Sequence, residues 1–125
     1  MIDSAPTRRG SQLALSALLA SALLTPSWIF AADFARAEDP VALSITIKDH
    51  KFDPVELHAP AGVPIAIRVK NLNDTPSEFE SGDLHFEKIV PVGKEGVVYV
   101  RPQQPGRYKF FDDFHHDTQG FLVVP

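Results

Sequence analysis

Cysteine is absent from the 125-residue chain, and methionine occurs once. No disulfide, zinc knuckle, iron–sulfur cluster or thiolate nucleophile can form, so any bound metal must be held by oxygen and nitrogen. Positive charge is also short: 12 basic residues stand against 16 acidic ones, a formal charge of -4. Without a basic stripe to displace counterions from phosphate, the composition argues against nucleic-acid binding. Beyond residue 40 no stretch carries the i, i+3, i+4, i+7 apolar spacing of an amphipathic helix, and there are no internal repeats or low-complexity linkers. No serine or histidine lies in a recognisable nucleophile motif, which leaves hydrolysis unsupported. What is present is material for one domain with a real core, 44% hydrophobic residues and nine Phe.

Residues 1–37 differ in composition from the rest. Arg8 and Arg9 precede a twelve-residue apolar run from Leu13 to Leu24, Pro26 follows, and Ala35-Arg36-Ala37 offers small residues at the two positions a signal peptidase reads. This is the pattern of a secretory signal peptide cleaved after Ala37, which implies export and no stable membrane insertion afterwards. An uncleaved anchor is the rival, if the run continues through Trp28, Ile29 and Phe30. Thr7-Arg8-Arg9 is a poor twin-arginine signal, because Ser11 and Gln12 stand where apolar residues should follow. The remaining 88 residues, 38–125, carry 9 basic and 14 acidic groups, a charge of -5, and all five histidines. A domain of this size with an adequate core does not need a metal to fold, so metal binding would be functional.

In that domain Val41, Leu43, Ile45 and Ile47 alternate with Ala42, Ser44, Thr46 and Lys48, the period of a half-buried strand. Ile65, Ile67 and Val69 repeat the pattern, with Asp53-Pro54 and Pro60-Ala61-Gly62 as turn punctuation between. Short apolar segments at 85–90, 96–101, 107–111 and 121–124 are each bounded by Pro or Gly. About seven short strands with regular turn signals predict an all-β, Greek-key β-sandwich over residues 38–125.

The segment Tyr108 to Gly120 carries the chemistry. Strand alternation places Tyr108, Phe110 and Asp112 on one face, toward the core. A carboxylate there needs a partner, since burying an unpaired charge costs several kcal/mol, and a metal ion would supply one. His115 follows three residues later and Gln119 four after that, so a loop is expected to fold their side chains around one point.

In these residues the sequence resembles the cupredoxins, whose C-terminal loop reads Tyr-x-Phe-x-Cys-x-x-His-x-x-x-Met-x-Gly or a close variant. Tyr108, Phe110, Asp112, His115, Gln119 and Gly120 match it, and the resemblance extends over most of residues 40–125, through Phe52-Asp53-Pro54, Ala61-Gly62 and Val69-Lys70-Asn71. It departs from the family at the ligands: Asp112 replaces the cysteine, Gln119 the methionine, and Ser77 the first histidine. Blue-copper electron transfer needs a Cu–thiolate bond, so ordinary blue-copper chemistry is excluded, whereas carboxylate with imidazole suits iron, manganese or Cu(II). The motifs at Thr75–Ser81 and Tyr108–His115 resemble those of cupredoxin-like domains in bacterial iron-uptake systems of the FtrB and EfeO kind. That resemblance implies a periplasmic protein binding, and oxidising, Fe(II) for delivery as Fe(III). It implies copper and/or iron as cofactors. Its expected partners are a second periplasmic metal-binding protein, an inner-membrane iron permease and a membrane ferredoxin-like protein.

Each expected site residue has a plainer alternative. Asp112 and His115 are the expected catalytic and metal-ligating pair, against a loop-capping aspartate and a surface histidine. Asp113 and His116 share the same spacing, so a one-residue shift would swap the pairs. Gln119 can bind through its amide oxygen or simply hydrogen-bond within the loop. Glu78 and Glu80 share one strand face, as hard-cation ligands guiding Fe(II) or as a hydrated pair, and His85 is expected to fold over the same end. His50 and His58 are read as solvated, away from the motif. Two other functions stay open: a non-redox carrier handing copper or iron to a partner, and a metal-free docking module.

Overall fold

The computed structural model describes residues 36–125. The expected leader therefore lies almost wholly outside the described residues. Nine strands follow one another: β1 (Val41–Lys48), β2 (Lys51–Asp53), β3 (Glu56–His58), β4 (Ile65–Asn71), β5 (Ser77–Ser81), β6 (Phe86–Val90), β7 (Glu95–Val100), β8 (Gly106–Asp112) and β9 (His115–Val124). They form two mixed sheets, β2-β1-β4-β7 and β3-β9-β8-β5-β6. β1 lies parallel to β4 and β3 parallel to β9, so the chain changes sheets between β2 and β3, where the Asp53-Pro54 peptide is cis.

The core is the inward half of each alternation. Ile45 and Ile47 of β1, Ile65, Ile67 and Val69 of β4, Val98 and Val100 of β7, and Leu122 and Val124 of β9 are buried between the sheets. Each such side chain contributes about 1.5–3 kcal/mol through area removed from water. At the centre Phe52, Phe79 and Phe110 meet with centroids 5.0 to 5.7 Å apart, and Phe86 lies 4.7 Å from Phe79. Phe79 is opposite Asp112 across the β5–β8 pair, so the carboxylate sits directly above this aromatic cluster.

The all-β sandwich is as expected, but it has nine strands rather than about seven. β2 and β3 are three residues each, too short to show a period beside the punctuation of Asp53-Pro54. The expected loop after Asp112 is instead a tight hairpin, with Asp113 and Phe114 as its turn and β9 beginning at His115. Alternation does run through this segment, with Thr118, Gly120, Leu122 and Val124 inward. Its first two inward residues are a threonine and a glycine, so an apolar pattern does not reveal it.

Candidate metal centre

Asp112 ends β8 with its carboxylate wholly buried, 0% exposed. Its Oδ1 accepts the backbone N–H of Glu78 at 2.9 Å and that of Phe114 at 3.1 Å. Its Oδ2 lies 3.0 Å from His115 Nδ1. A carboxylate has no proton to give, so this contact assigns the hydrogen to Nδ1, and in the neutral ring that leaves the lone pair on Nε2. The pair is the carboxylate–imidazole unit that orients metal-binding histidines and raises their basicity. Asp112 is expected from the sequence as a direct ligand; in the structure its three hydrogen bonds are all to protein groups, and Nε2 of His115 is the available donor atom.

His50 stands beside this unit, its ring centroid 4.2 Å from that of His115. The sequence reading puts His50 away from the loop motif, and the structure corrects it. The β1–β2 hairpin turns at Asp49 and His50, both with positive φ, and delivers His50 to the end of the sandwich where His115 emerges. No spacing rule connects positions 65 residues apart, and the turn lacks the glycine that usually marks one. The polar residues beneath hold this end together. His50 donates its N–H to Asn73 Oδ1, and its carbonyl accepts the Thr118 hydroxyl at 2.6 Å. Asn73 in turn donates to Ser77 Oγ and, through its backbone, to Asn71 Oδ1, while Asn71 ties to the carbonyls of Thr75 and Val90. Ser77, expected in place of the first histidine, is a buried member of this network.

The other expected residues lie elsewhere. Glu78 and Glu80 flank inward Phe79 and face the opposite side of the sheet from Asp112. There they join Asp113, the one-residue alternative to Asp112, with one carboxylate oxygen of each within 4.8 Å of the others. Glu78 has its pKa raised above the usual 4.5, first by a shared hydrogen bond with Glu87, then by burial and by repulsion from Glu87, Asp113 and Glu80. His116 Nε2 lies 3.3 Å from Asp113 Oδ1, so both Asp–His spacings in the sequence are real pairs, one on each face. Gln119 does not reach Asp112. It is opposite Phe111 in the hairpin, points outward, and donates to the His116 carbonyl at 2.9 Å.

His85, expected at the same end as Glu78 and Glu80, lines one hollow with Glu80. Its turn is tied beside Lys109, where the Ser81 hydroxyl donates to the Lys109 carbonyl and Asp83 accepts the Lys109 N–H. The His85 side chain lines hollows with Tyr99, Arg101, Phe86 and Glu87. His58 is exposed and pairs with Glu56 at 3.1 Å, in keeping with a solvated role.

Among the described residues no helix is long and apolar enough to cross a membrane. The chain matches the family described as the cupredoxin-like domain over residues 17–124. Uncharacterized protein RP394 of Rickettsia prowazekii (strain Madrid E) is 47% identical over 83 residues, 66% of this chain and 66% of that relative, so just under two thirds of its length is spanned. The metal-binding domain of the Cu(I)-exporting P-type ATPase CopA from Streptococcus pneumoniae D39, solved with Cu(I), aligns at TM-score 0.61 and 19% identity, over 70% of this chain and 89% of that one. Auracyanin A, a blue copper protein from Chloroflexus aurantiacus, aligns at TM-score 0.59 and 20% identity, over 70% of this chain and all of its own, 100%. At these identities the solved structures share the fold.

Those neighbours bind copper, and the donors here decide how far that carries over. A thiolate copper site does not fit a chain with no cysteine. Imidazole nitrogen backed by a buried carboxylate fits Cu(II), which takes nitrogen and oxygen donors in tetragonal geometry. What the match records is the sandwich and not the thiolate: the chain belongs to the cupredoxin-like domain family.

Proposed function

We propose that this is a periplasmic cupredoxin-like component of a ferrous iron uptake system, which binds Fe(II) and oxidises it to Fe(III) for an iron permease, alongside a second periplasmic metal-binding protein. The observation that carries the proposal is the placing of two unlike donor sets on either side of one strand pair. On the inner side stand Asp112 and His115; on the outer side stand Glu78, Glu80 and Asp113. The two are joined where the Glu78 N–H donates to Asp112 Oδ1.

His115 would hold copper through Nε2, with Asp112 fixing the ring and its tautomer. Copper bound there supplies a one-electron acceptor. The outer carboxylates receive Fe(II) as substrate, and hard oxygen donors hold the more highly charged ferric product better than the ferrous ion. Partial exposure of Glu80 and Asp113 leaves a way out for the product. The leader pattern in residues 1–37 supports export.

The test is anaerobic mixing of Cu(II)-loaded protein with Fe(II), following the Cu(II) signal. One Cu(II) lost per Fe(II) oxidised is expected, with the reaction strongly weakened in Asp112→Ala, in line with the roughly 10- to 100-fold cost of losing an orienting partner, and slowed in Glu78→Gln with Glu80→Gln. Asp112→Asn, which keeps the hydrogen-bonding shape without the charge, separates chemistry from folding. If no Cu(II) is reduced and the Asp112 variants behave like the parent, the proposal fails. Metal retention with iron oxidation at the uncatalysed rate identifies a carrier instead.

A further inference from the structure

We infer that His50 is the second imidazole ligand of the centre at Asp112 and His115, supplying from the β1–β2 turn the nitrogen that the fold lacks at Ser77. The inference rests on the reading that this centre holds a metal. Three observations carry it.

The first is proximity. Two imidazoles bound side by side on one ion, each with a metal–nitrogen distance of about 2.0 Å, place their ring centroids about 4.5 Å apart. The His50 and His115 centroids are 4.2 Å apart with planes tilted by 39°.

The second is conformation. His50 has φ of 54° and follows Asp49 at 49°, in a two-residue turn where glycine or asparagine would sit without strain. A histidine there stabilises the turn less than glycine would, and such residues persist where the side chain has work to do.

The third is support. Asn71, Asn73, Ser77, Asp112 and Thr118 are all buried polar residues: Asn73 and Thr118 bond to the backbone of His50, Asp112 bonds to the ring of His115, and Asn71 and Ser77 brace Asn73 from behind. Fixing one imidazole through its ring and the other through its backbone, by buried and satisfied groups, is how a ligand set is kept in place before the ion arrives. A two-imidazole set completed by water is a nitrogen and oxygen environment suited to Cu(II).

The strained turn makes the test clean, because His50→Gly removes the ring while easing the backbone. The full chain and its variants are titrated with Cu(II) against a competing chelator, and the imidazole nitrogens on the ion are counted by pulsed electron paramagnetic resonance. Two are expected in the parent and one in His50→Gly, with affinity falling by more than the roughly 10- to 100-fold that loss of an outer partner costs. His58→Ala and His116→Ala should change neither quantity. If His50→Gly matches the parent while Asp112→Asn and His115→Ala lose copper, His50 is not a ligand and the centre stands without it. If none of these variants changes binding, the reading of the centre falls, and the inference with it.

Discussion

Glu78 shows what a single residue loses by standing where it does. Glu87 on β6, Glu80 on its own strand and Asp113 in the hairpin turn surround it with negative charge, while Lys109 and His116 stand on the far side of Asp113. Because its pKa is raised in the folded protein, the native state holds a proton that the unfolded chain has already released. Stability contributed by Glu78 is therefore full below the usual glutamate pKa and is lost as pH rises through the higher folded value. Denaturant unfolding at stepped pH should show this loss in the parent and not in Glu78→Gln, which should be the more stable of the two at neutral pH. A parent curve that is flat or rises across that window would contradict the assignment. Both carboxylate oxygens of Asp112, one strand away, are hydrogen-bonded to protein groups.

The β8–β9 hairpin decides which Asp–His pair faces the core. The sequence doubles both partners, Asp112-Asp113 and His115-His116, so a slip of one residue would exchange them. Gly120 fixes the ladder on the strand side of the irregularity that separates the Phe111–Gln119 pair from Asp112–His115. It is opposite Phe110, and a Cβ built there would overlap Phe110 Cε2, lie 2.6 Å from Phe110 Cζ and come within 2.7 Å of the Val55 carbonyl. Backbone on one side and a buried ring on the other leave no room to relax, so Gly120→Ala should destabilise by about 1–3 kcal/mol, the usual cost of overpacking. The check is a lower urea midpoint at unchanged slope. The elements differ in how openly the sequence declares them. β1 and β4 are legible because their inward residues are Ile and Val over seven or eight positions. Asp112 and His115 are legible because the strand period and a three-residue spacing are both local. The polar half of β9 is hidden by Thr118 and Gly120, and β2 and β3 by their brevity. His50 and Asp113 are hidden for another reason: their positions depend on pairings between distant segments, which no local period encodes.

At the scale of the whole domain, β5 and β8 are joined by a short seam, two residue pairs against seven in the β8–β9 hairpin. The Asp112 carboxylate extends that seam by accepting the Glu78 N–H. Asp112→Ala leaves that buried amide without a partner, which costs about 1–3 kcal/mol, and Asp112→Asn should recover much of it through the amide oxygen. Hydrogen exchange at Glu78 N–H should follow the same order, fastest in Asp112→Ala.

The same hydrogen bond has a thermodynamic consequence. The residue whose amide grips the inner carboxylate is the one whose side chain faces the outer acids, so on the proposed function an inner and an outer ion would share a single peptide group. Their binding would then be linked, and linkage is reciprocal: whatever factor an outer cation imposes on the inner affinity, the inner ion would impose on the outer. Titrations run in the two orders must close the same cycle.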